Sequence, residues 1–266
     1  KMNIVRRSLS QIKGGRLAEA IYPAQITTYM ISDIPGDDPA HIGSGPTIQA
    51  RGQNFDSLSI LNDYKISISE KIKKSILNNK LPKLTYAPSY MLATPMMSLE
   101  NAALKARNEG YEPIILSDTL EGEAYLEGKK MAKLAIKIKE ERKYKNIILK
   151  KPILLLSGGE TTVTVKGKGK GGRNTEFMLS MAISLNGAEG VYALAIDTDG
   201  IDGIEDNAGA FISPNTISKS IINNLNAIDY LKDNNSYSFF RSVEGLIFTS
   251  PTLTNVNDFR AVLILP

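Results

Sequence analysis

The sequence predicts an α/β fold, on three observations. Residues 98–110 carry a helix signal, with Ser98 a fair N-cap and Gly110 a fair C′ residue, and a strand candidate at 111–116 follows directly. An apolar run at 153–156 leads through a glycine-rich basic loop to a helix with Phe177, Met178, Met181, Ala182 and Leu185 at helical spacing, then to a strand candidate at 191–196. The chain has 266 residues and is 42% hydrophobic, enough to bury a core in one large domain or two smaller ones.

The remaining elements follow from local signals. Residues 3–20 read as a helix broken or turned at Lys13-Gly14-Gly15-Arg16. Residues 26–31 are a short strand candidate that runs into Asp33, Asp37 and Asp38 among prolines and glycines, then into His41 and Ser44-Gly45-Pro46-Thr47. Strand ends are where α/β sheets bind ligands. His41 lacks a nucleophile at a recognisable spacing and reads as a loop residue. Residues 56–80 read as one helix closed by Pro82, with a polar turn at 117–118 before a long charged helix over 121–145. By composition, residues 142–151 form the best domain boundary. Beyond the strand at 191–196, Asp197, Asp199, Asp202, Glu205 and Asp206 cluster; carboxylates at a strand end can hold Mg²⁺, though the spacing is not that of an EF-hand. Residues 210–212 and 262–265 are strand candidates, 217–225 a helix, 226–240 a polar surface excursion and 249–258 a turn-rich loop.

Composition excludes several classes. Cysteine is absent, so neither a disulfide framework nor a thiolate metal site can form. No apolar run approaches the ~18 residues needed to span a membrane, and the first ten residues lack a signal-peptide core, so a cytoplasmic setting is expected. The net charge of +4 suits an anionic small substrate. Nucleic acid is not an expected partner, because the basic loops lack interleaved aromatics. The chain opens on Lys1, so a preceding segment is expected.

The stretch from Ser157 to Asn174 concentrates the chemistry. It reads as strand, glycine turn at Ser157-Gly158-Gly159-Glu160, β-branched strand, basic loop Gly167-Lys168-Gly169-Lys170-Gly171-Gly172-Arg173, and a helix with Asn174 as N-cap. Glycine backbone, a helix N-terminus and cations together favour an anion, most simply a phosphate. Gly167, Gly169 and Gly172 match G-x-G-x-x-G, and Asp197 ends the next strand, as in a dinucleotide reductase. The loop is also a near miss to a phosphate-binding P-loop, with Arg173-Asn174 in place of Lys-Ser/Thr. Its dense positive charge suits terminal phosphates. The residues alone leave both readings open.

Ser157-Gly-Gly-Glu-Thr-Thr162, Gly171-Gly172-Arg173-Asn174 with Glu176-Phe177, and Asp197-Thr-Asp199-Gly200-Ile-Asp202-Gly203 together resemble the MOFRL domain. That domain closes the class II glycerate kinases, the glycerate 2-kinase family long also labelled hydroxypyruvate reductase. The likeness extends through Arg6-Arg7-Ser8, Lys13 to Ala18, Ser32-Asp33, Pro35 to Asp38, Ser44 to Thr47, Thr254-Asn255-Val256 and Asp258. It implies two α/β lobes, the first incomplete at its N-terminus. Residues 1–148 would be the C-terminal part of the family's Rossmann-like region, and residues 149–266 the MOFRL domain. The implied reaction is ATP-dependent phosphorylation of D-glycerate to 2-phosphoglycerate with Mg²⁺. Arg173, Asp197 and Lys13 are the expected catalytic residues. Gly158, Gly159, Glu160, Lys168, Lys170, Gly171, Gly172, Arg16, Ser44 and Gly45 are the expected phosphate or nucleotide contacts. Asp197, Asp199 and Asp202, and less directly Asp33 and Asp37, are the metal candidates. The alternatives are an NAD(P)H-dependent hydroxypyruvate reductase, and a non-catalytic remnant or one chain of a split enzyme with an N-terminal partner chain. At one point the sequence departs from the family: Ser250-Pro251-Thr252-Leu253 stands where Gly-Pro-Thr-Gly is usual.

Overall fold

A computed structural model of the protein describes residues 1–49, 57–80, 82, 87–145 and 147–266. The chain forms two compact units, Lys1–Thr94 and Pro95–Pro266. The first runs α1 (Met2–Leu9), α2 (Arg16–Ile21), β1 (Thr28–Ile31), a 3₁₀ turn (Ile42–Ser44), α3 (Ser57–Asp63), α4 (Glu70–Asn78) and β2 (Ser89–Ala93). β1 and β2 pair in parallel as a two-stranded sheet, β2 being an element beyond those expected. The helix expected over 3–20 breaks where Gly14 and Gly15 take positive φ. The single helix expected over 56–80 is two, with residue 56 outside the described residues. Lys65 turns left-handed after α3, and the Ser69 hydroxyl restarts the chain as α4 by accepting from the Ile72 N–H.

The second unit runs α5 (Pro95–Asn108), β3 (Glu112–Glu123), α6 (Ala124–Glu141), β4 (Lys143–Tyr144), β5 (Ile147–Ile148), β6 (Ile153–Thr162), α7 (Arg173–Leu185), β7 (Val191–Asp197), β8 (Gly209–Ile212), α8 (Thr216–Ile222), α9 (Ala227–Lys232), α10 (Ser236–Ser242), β9 (Leu246–Ile247) and β10 (Asp258–Ile264). Six strands form one sheet in the order β3-β6-β10-β7-β8-β9. Only β3 and β6 are parallel; β10 enters between β6 and β7, antiparallel to both. Strand alternation then sorts side chains between two faces. Ile153, Leu155, Val191, Ala193, Val262 and Ile264 meet Phe177, Met178, Met181 and Leu185 of α7 and Ala132, Ala135 and Ile138 of α6. Leu154, Leu156, Phe259 and Ala261 meet Leu99 and Ala103 of α5 on the other face. The result is a sheet covered on both sides by helices.

Four expectations change here. Residues 157–160 are no glycine turn, because β6 continues through them. Gly159 takes a φ of 96° there, and a Cβ would lie 2.1 Å from the Leu120 amide nitrogen. β3 likewise runs on through 117–118 to Glu123, with register shifts against β6 absorbing the irregularity, so the long helix begins only at Ala124. Residues 226–240 are no surface excursion: α9 and α10 lie there, and Phe239 and Phe240 belong to the core. The final strand starts at Asp258 rather than 262. The partition expected at 148/149 rests on the resemblance and on composition; the compact units part between Thr94 and Pro95, and β3 pairs along β6 within the second. Among the described residues, no helix is long and apolar enough to cross a membrane.

Candidate functional site

The insertion of β10 creates an electrostatic problem that one arginine resolves. Asp258 on β10 stands directly opposite Asp197 on β7, and both are buried. Like charges opposed across a ladder repel. Arg173, at the first position of α7, lies between them. Its Nε donates to Asp258 Oδ1 at 2.9 Å, its Nη2 to Asp197 Oδ2 at 2.6 Å, and its Nη1 to Glu160 Oε1 at 2.7 Å. Burial opposes the arginine's charge, but the carboxylates of Asp258, Asp197 and Glu160 outweigh it and raise its pKa, so Arg173 stays charged. Asp197 is pushed up to about 7, chiefly by burial, against the Asp199 N–H and Arg173, with Asp258 and Asp199 adding to the rise. Two of the five guanidinium N–H donors remain once these three bonds are made. Glu160 is the exposed member, its side chain 53% accessible against 5% for Asp197 and 0% for Asp258.

The N-terminus of α7, expected to cradle a phosphate, is already filled. Gly172, not Asn174, is the N-cap residue, and the cap itself comes from Asp202. Its Oδ1 accepts from the Asn174 N–H at 2.9 Å, and its Oδ2 from the Thr175 N–H and hydroxyl at 2.8 Å each. A carboxylate at a helix N-terminus satisfies orphan donors and meets the positive end of the dipole. Burial pushes the Asp202 carboxyl up, and these three donors pull it back. Gly172 lets the carboxylate approach, since a Cβ there would lie 2.4 Å from Asp202 Oδ1.

The basic loop is interlocked in the same way. Lys166 and Gly167 N–H groups donate to Asn234 Oδ1, Lys168 N–H to Asp233 Oδ1, Gly169 N–H to Asp233 O, and Lys170 N–H to Asn235 Oδ1. A Cβ on Gly167, Gly169 or Gly171 would collide with Asp233, Asn235 or Ser236 at 2.2 Å. These glycines serve the packing of loop on loop. Lys168 and Lys170 keep exposed side chains, Lys170 3.7 Å from Glu205. Gly158 lies inside β6, where an added Cβ would meet the Asp118 and Asp258 carbonyls at 3.4 Å.

The carboxylates do not fit a metal cage. Asp197 is engaged by Arg173 and the Asp199 N–H, Asp199 by the Ile201 N–H and Asn255, and Asp202 by α7. No group of three or more His, Cys, Asp or Glu among the described residues could hold a metal ion. The adjoining loop does need its missing glycines. Ser250 and Leu253 both take φ of 61°, and Leu253 is 96% exposed. Leu253→Gly is expected to raise stability by about 1 kcal/mol by removing the left-handed penalty; an unchanged or lower melting temperature would contradict this.

In the first unit, the two glycine segments meet through backbone. Gly14 N–H donates to Ser44 O, Gly15 N–H to Gly45 O and Leu17 N–H to Pro46 O. Ser44 is buried and its hydroxyl donates to Asn3 Oδ1. Arg16 is buried and bonds the carbonyls of Lys80, Arg7 and Lys13, and burial lowers its pKa. Lys13 Nζ reaches the Gly43 carbonyl at 2.6 Å, and no carboxylate among the described residues lies within ion-pair distance of it. Asp33 is exposed after β1, and Asp37 sits in a left-handed turn with Oδ1 buried. His41 contacts Asp38, as befits a loop residue.

Two charged side chains bonded into this site carried no role in the sequence reading. Asp258 and Arg260 alternate with Phe259 on β10, so both point to the α7 side in the same row as Val262 and Ile264. Two charges at inward parity in an otherwise apolar strand are the signal that marks them.

Fold and site together describe an α/β protein whose buried charges gather where α7 meets the strand ends. The sequence model of the MOFRL family matches residues 153–258, and that of a domain of unknown function (DUF4147) matches residues 1–78. An Agrobacterium vitis protein named "Putative hydroxypyruvate reductase" is 43% identical over 99% of the chain, which covers 69% of that relative. A Thermotoga maritima D-glycerate 2-kinase is 38% identical over the whole chain, which covers 63% of it. The crystal structure of glycerate kinase from Thermotoga maritima superposes with a TM-score of 0.91 at 37% identity, over 99% of this chain and 63% of that one. A Pyrococcus horikoshii crystal structure gives 0.85 at 33% identity, over 99% and 62%. The chain belongs to the glycerate 2-kinase family, and it spans from 60% to 69% of the length of the three relatives matched at 38% identity or more.

Proposed function

We propose that the protein is a phosphotransferase that moves the terminal phosphoryl group of ATP to the 2-hydroxyl of D-glycerate. The observation that carries this reading is Arg173. It is held charged in a preset orientation with two donors left over. Phosphoryl transfer asks a protein mainly for positioning and for positive charge aimed at the transferring group. Arg173 supplies both. Asp197, beside it, takes the hydroxyl proton, since each carboxylate oxygen retains a lone pair beyond the bond it already accepts. Lys168 and Lys170 stand in solvent on a rigid loop and draw in the anionic nucleotide. Lys13, uncompensated by a carboxylate among the described residues, is proposed as a further anion contact. The metal role proposed for Asp197, Asp199 and Asp202 finds no support in their bonding, and no step is assigned to a protein-held Mg²⁺.

The similarity to a D-glycerate 2-kinase supports the same reaction. The reductase reading loses its motif. The loop amides that would hold a pyrophosphate are occupied by residues 233–235, and the Asp202 carboxylate stands where the diester would lie. The test is incubation with D-glycerate and Mg–ATP, following ADP and 2-phosphoglycerate. Formation of both is expected. Hydroxypyruvate-dependent oxidation of NADH, without phosphoryl transfer, would overturn the assignment.

Glu160 then has a distinct part. It is the exposed carboxylate on Arg173, so a phosphate approaching the two remaining donors meets its negative charge. An exposed ion pair is worth at most about 1 kcal/mol, so Glu160→Gln is expected to lower KM for ATP by about two- to fivefold. A raised KM would instead make Glu160 a direct nucleotide contact.

A further inference from the structure

Arg260 is a charged side chain that the chemistry above does not use. It is 1% exposed and faces the core in the row of Val262 and Ile264. Its Nη1 donates to the Gly158 carbonyl at 3.0 Å, and its Nη2 donates to Thr161 Oγ1 at 3.2 Å and to Asp258 Oδ2. Its guanidinium lies 5.0 Å from the Phe177 ring centroid. Burying such a charge is costly, and a well-packed apolar side chain in its place is often as stable or more so. Fold stability therefore gives little reason for an arginine here.

The bonding of Asp258 supplies one. Its Oδ2 is held by Arg260, while its Oδ1 accepts from Arg173 Nε at 2.9 Å and from Asn174 Nδ2 at 2.8 Å. Together with the Nη bonds to Asp197 and Glu160, the Nε bond fixes the plane in which the Arg173 guanidinium lies. A guanidinium is a rigid fork, so fixing that plane aims all of its donors. We propose that Asp258 and Arg260 are positioning residues for Arg173: Arg260 pins Asp258 from inside the core, and Asp258 sets the direction in which Arg173 presents its remaining donors. This deepens the proposed function and rests on its reading of Arg173. Arg260 touches no part of the surface where substrate would lie, so it acts through Arg173.

The test is a double-mutant cycle with a spectroscopic arm. Arg260→Met is expected to lower kcat about 10- to 100-fold with KM changed less than about threefold, because misaimed donors cost the transition state more than the ground state. In an Arg173→Ala background the same change is expected to cost less than about twofold. Equal losses in both backgrounds would overturn the proposal. Separately, the ¹H–¹⁵N resonance of Arg173 Nε–H is expected to be protected from exchange in the parent protein and lost in Arg260→Met. An unchanged resonance would also overturn it. If Arg260→Met shows no cooperative melt, Asp258→Asn replaces it with the same spectroscopic criterion, since it preserves shape and removes the charge. If Arg173→Ala keeps full activity, the kinase reading of Arg173 fails, while the resonance still decides whether Arg260 positions it.

Discussion

Arg173→Ala is expected to lower kcat/KM for glycerate phosphorylation by at least ~100-fold, the scale of losing a cation that meets transition-state charge. The geometry makes the effect twofold in origin. On the proposed reading the transferring group loses a cation, and Asp197 and Asp258 face each other without the guanidinium that bridges them. Stranding buried carboxylates destabilises by about 3–5 kcal/mol when a partner is removed, so activity must be read beside a melt. Arg173→Lys separates the two effects. It restores a charge between the carboxylates but cannot bond three acceptors in one plane, so stability is expected to recover more than kcat. A loss below about tenfold, roughly 1.4 kcal/mol, in a folded Arg173→Ala protein would sink the role given to Arg173.

Asp202→Ala is expected to destabilise the second unit by about 3 kcal/mol, combining a lost helix cap with two buried N–H groups left unpaired. For a unit of this size that lowers the melting temperature by about 6–12 °C. The effect falls on α7, and with it on Arg173 at the helix start. Asp202→Asn keeps one acceptor oxygen and is expected to cost less. A metal ligand would behave differently: its loss would raise the Mg²⁺ concentration needed for turnover and leave the melt nearly unchanged. That pattern would restore the metal reading of Asp202.

What the sequence disclosed, and what it hid, divides along physical lines. The α5, β3 and α7, β7 alternation was legible because apolar periodicity is local. Arg173 was legible as a cation at a helix start, and Asp197 as an acid at a strand end. The bonding partners of the glycine loop were not. Glycines that admit a phosphate and glycines that admit another loop look alike in sequence, and only the placement of residues 233–236 distinguishes them. Asp202 read as a metal ligand because its clustering with Asp199 was visible, while the helix end it caps lies 27 to 28 residues away in the chain. Asp258 was legible only as part of the family likeness, and Arg260 not at all, because their bonding depends on which strands flank β10. That pairing joins Gly158 to a side chain 102 residues later.

The central place of β10 also governs the order in which the unit can form. β6 and β7 become neighbours of one strand that follows both, so neither can complete its ladder when it first emerges. Until then each presents a bare row of amides and carbonyls, in a chain that must close a long loop to cover them. The chain is therefore most exposed to misassociation while Arg173 still has only two of its three carboxylates. The full bonding of Arg173 and protection from aggregation arrive in the same event, the seating of a single seven-residue strand.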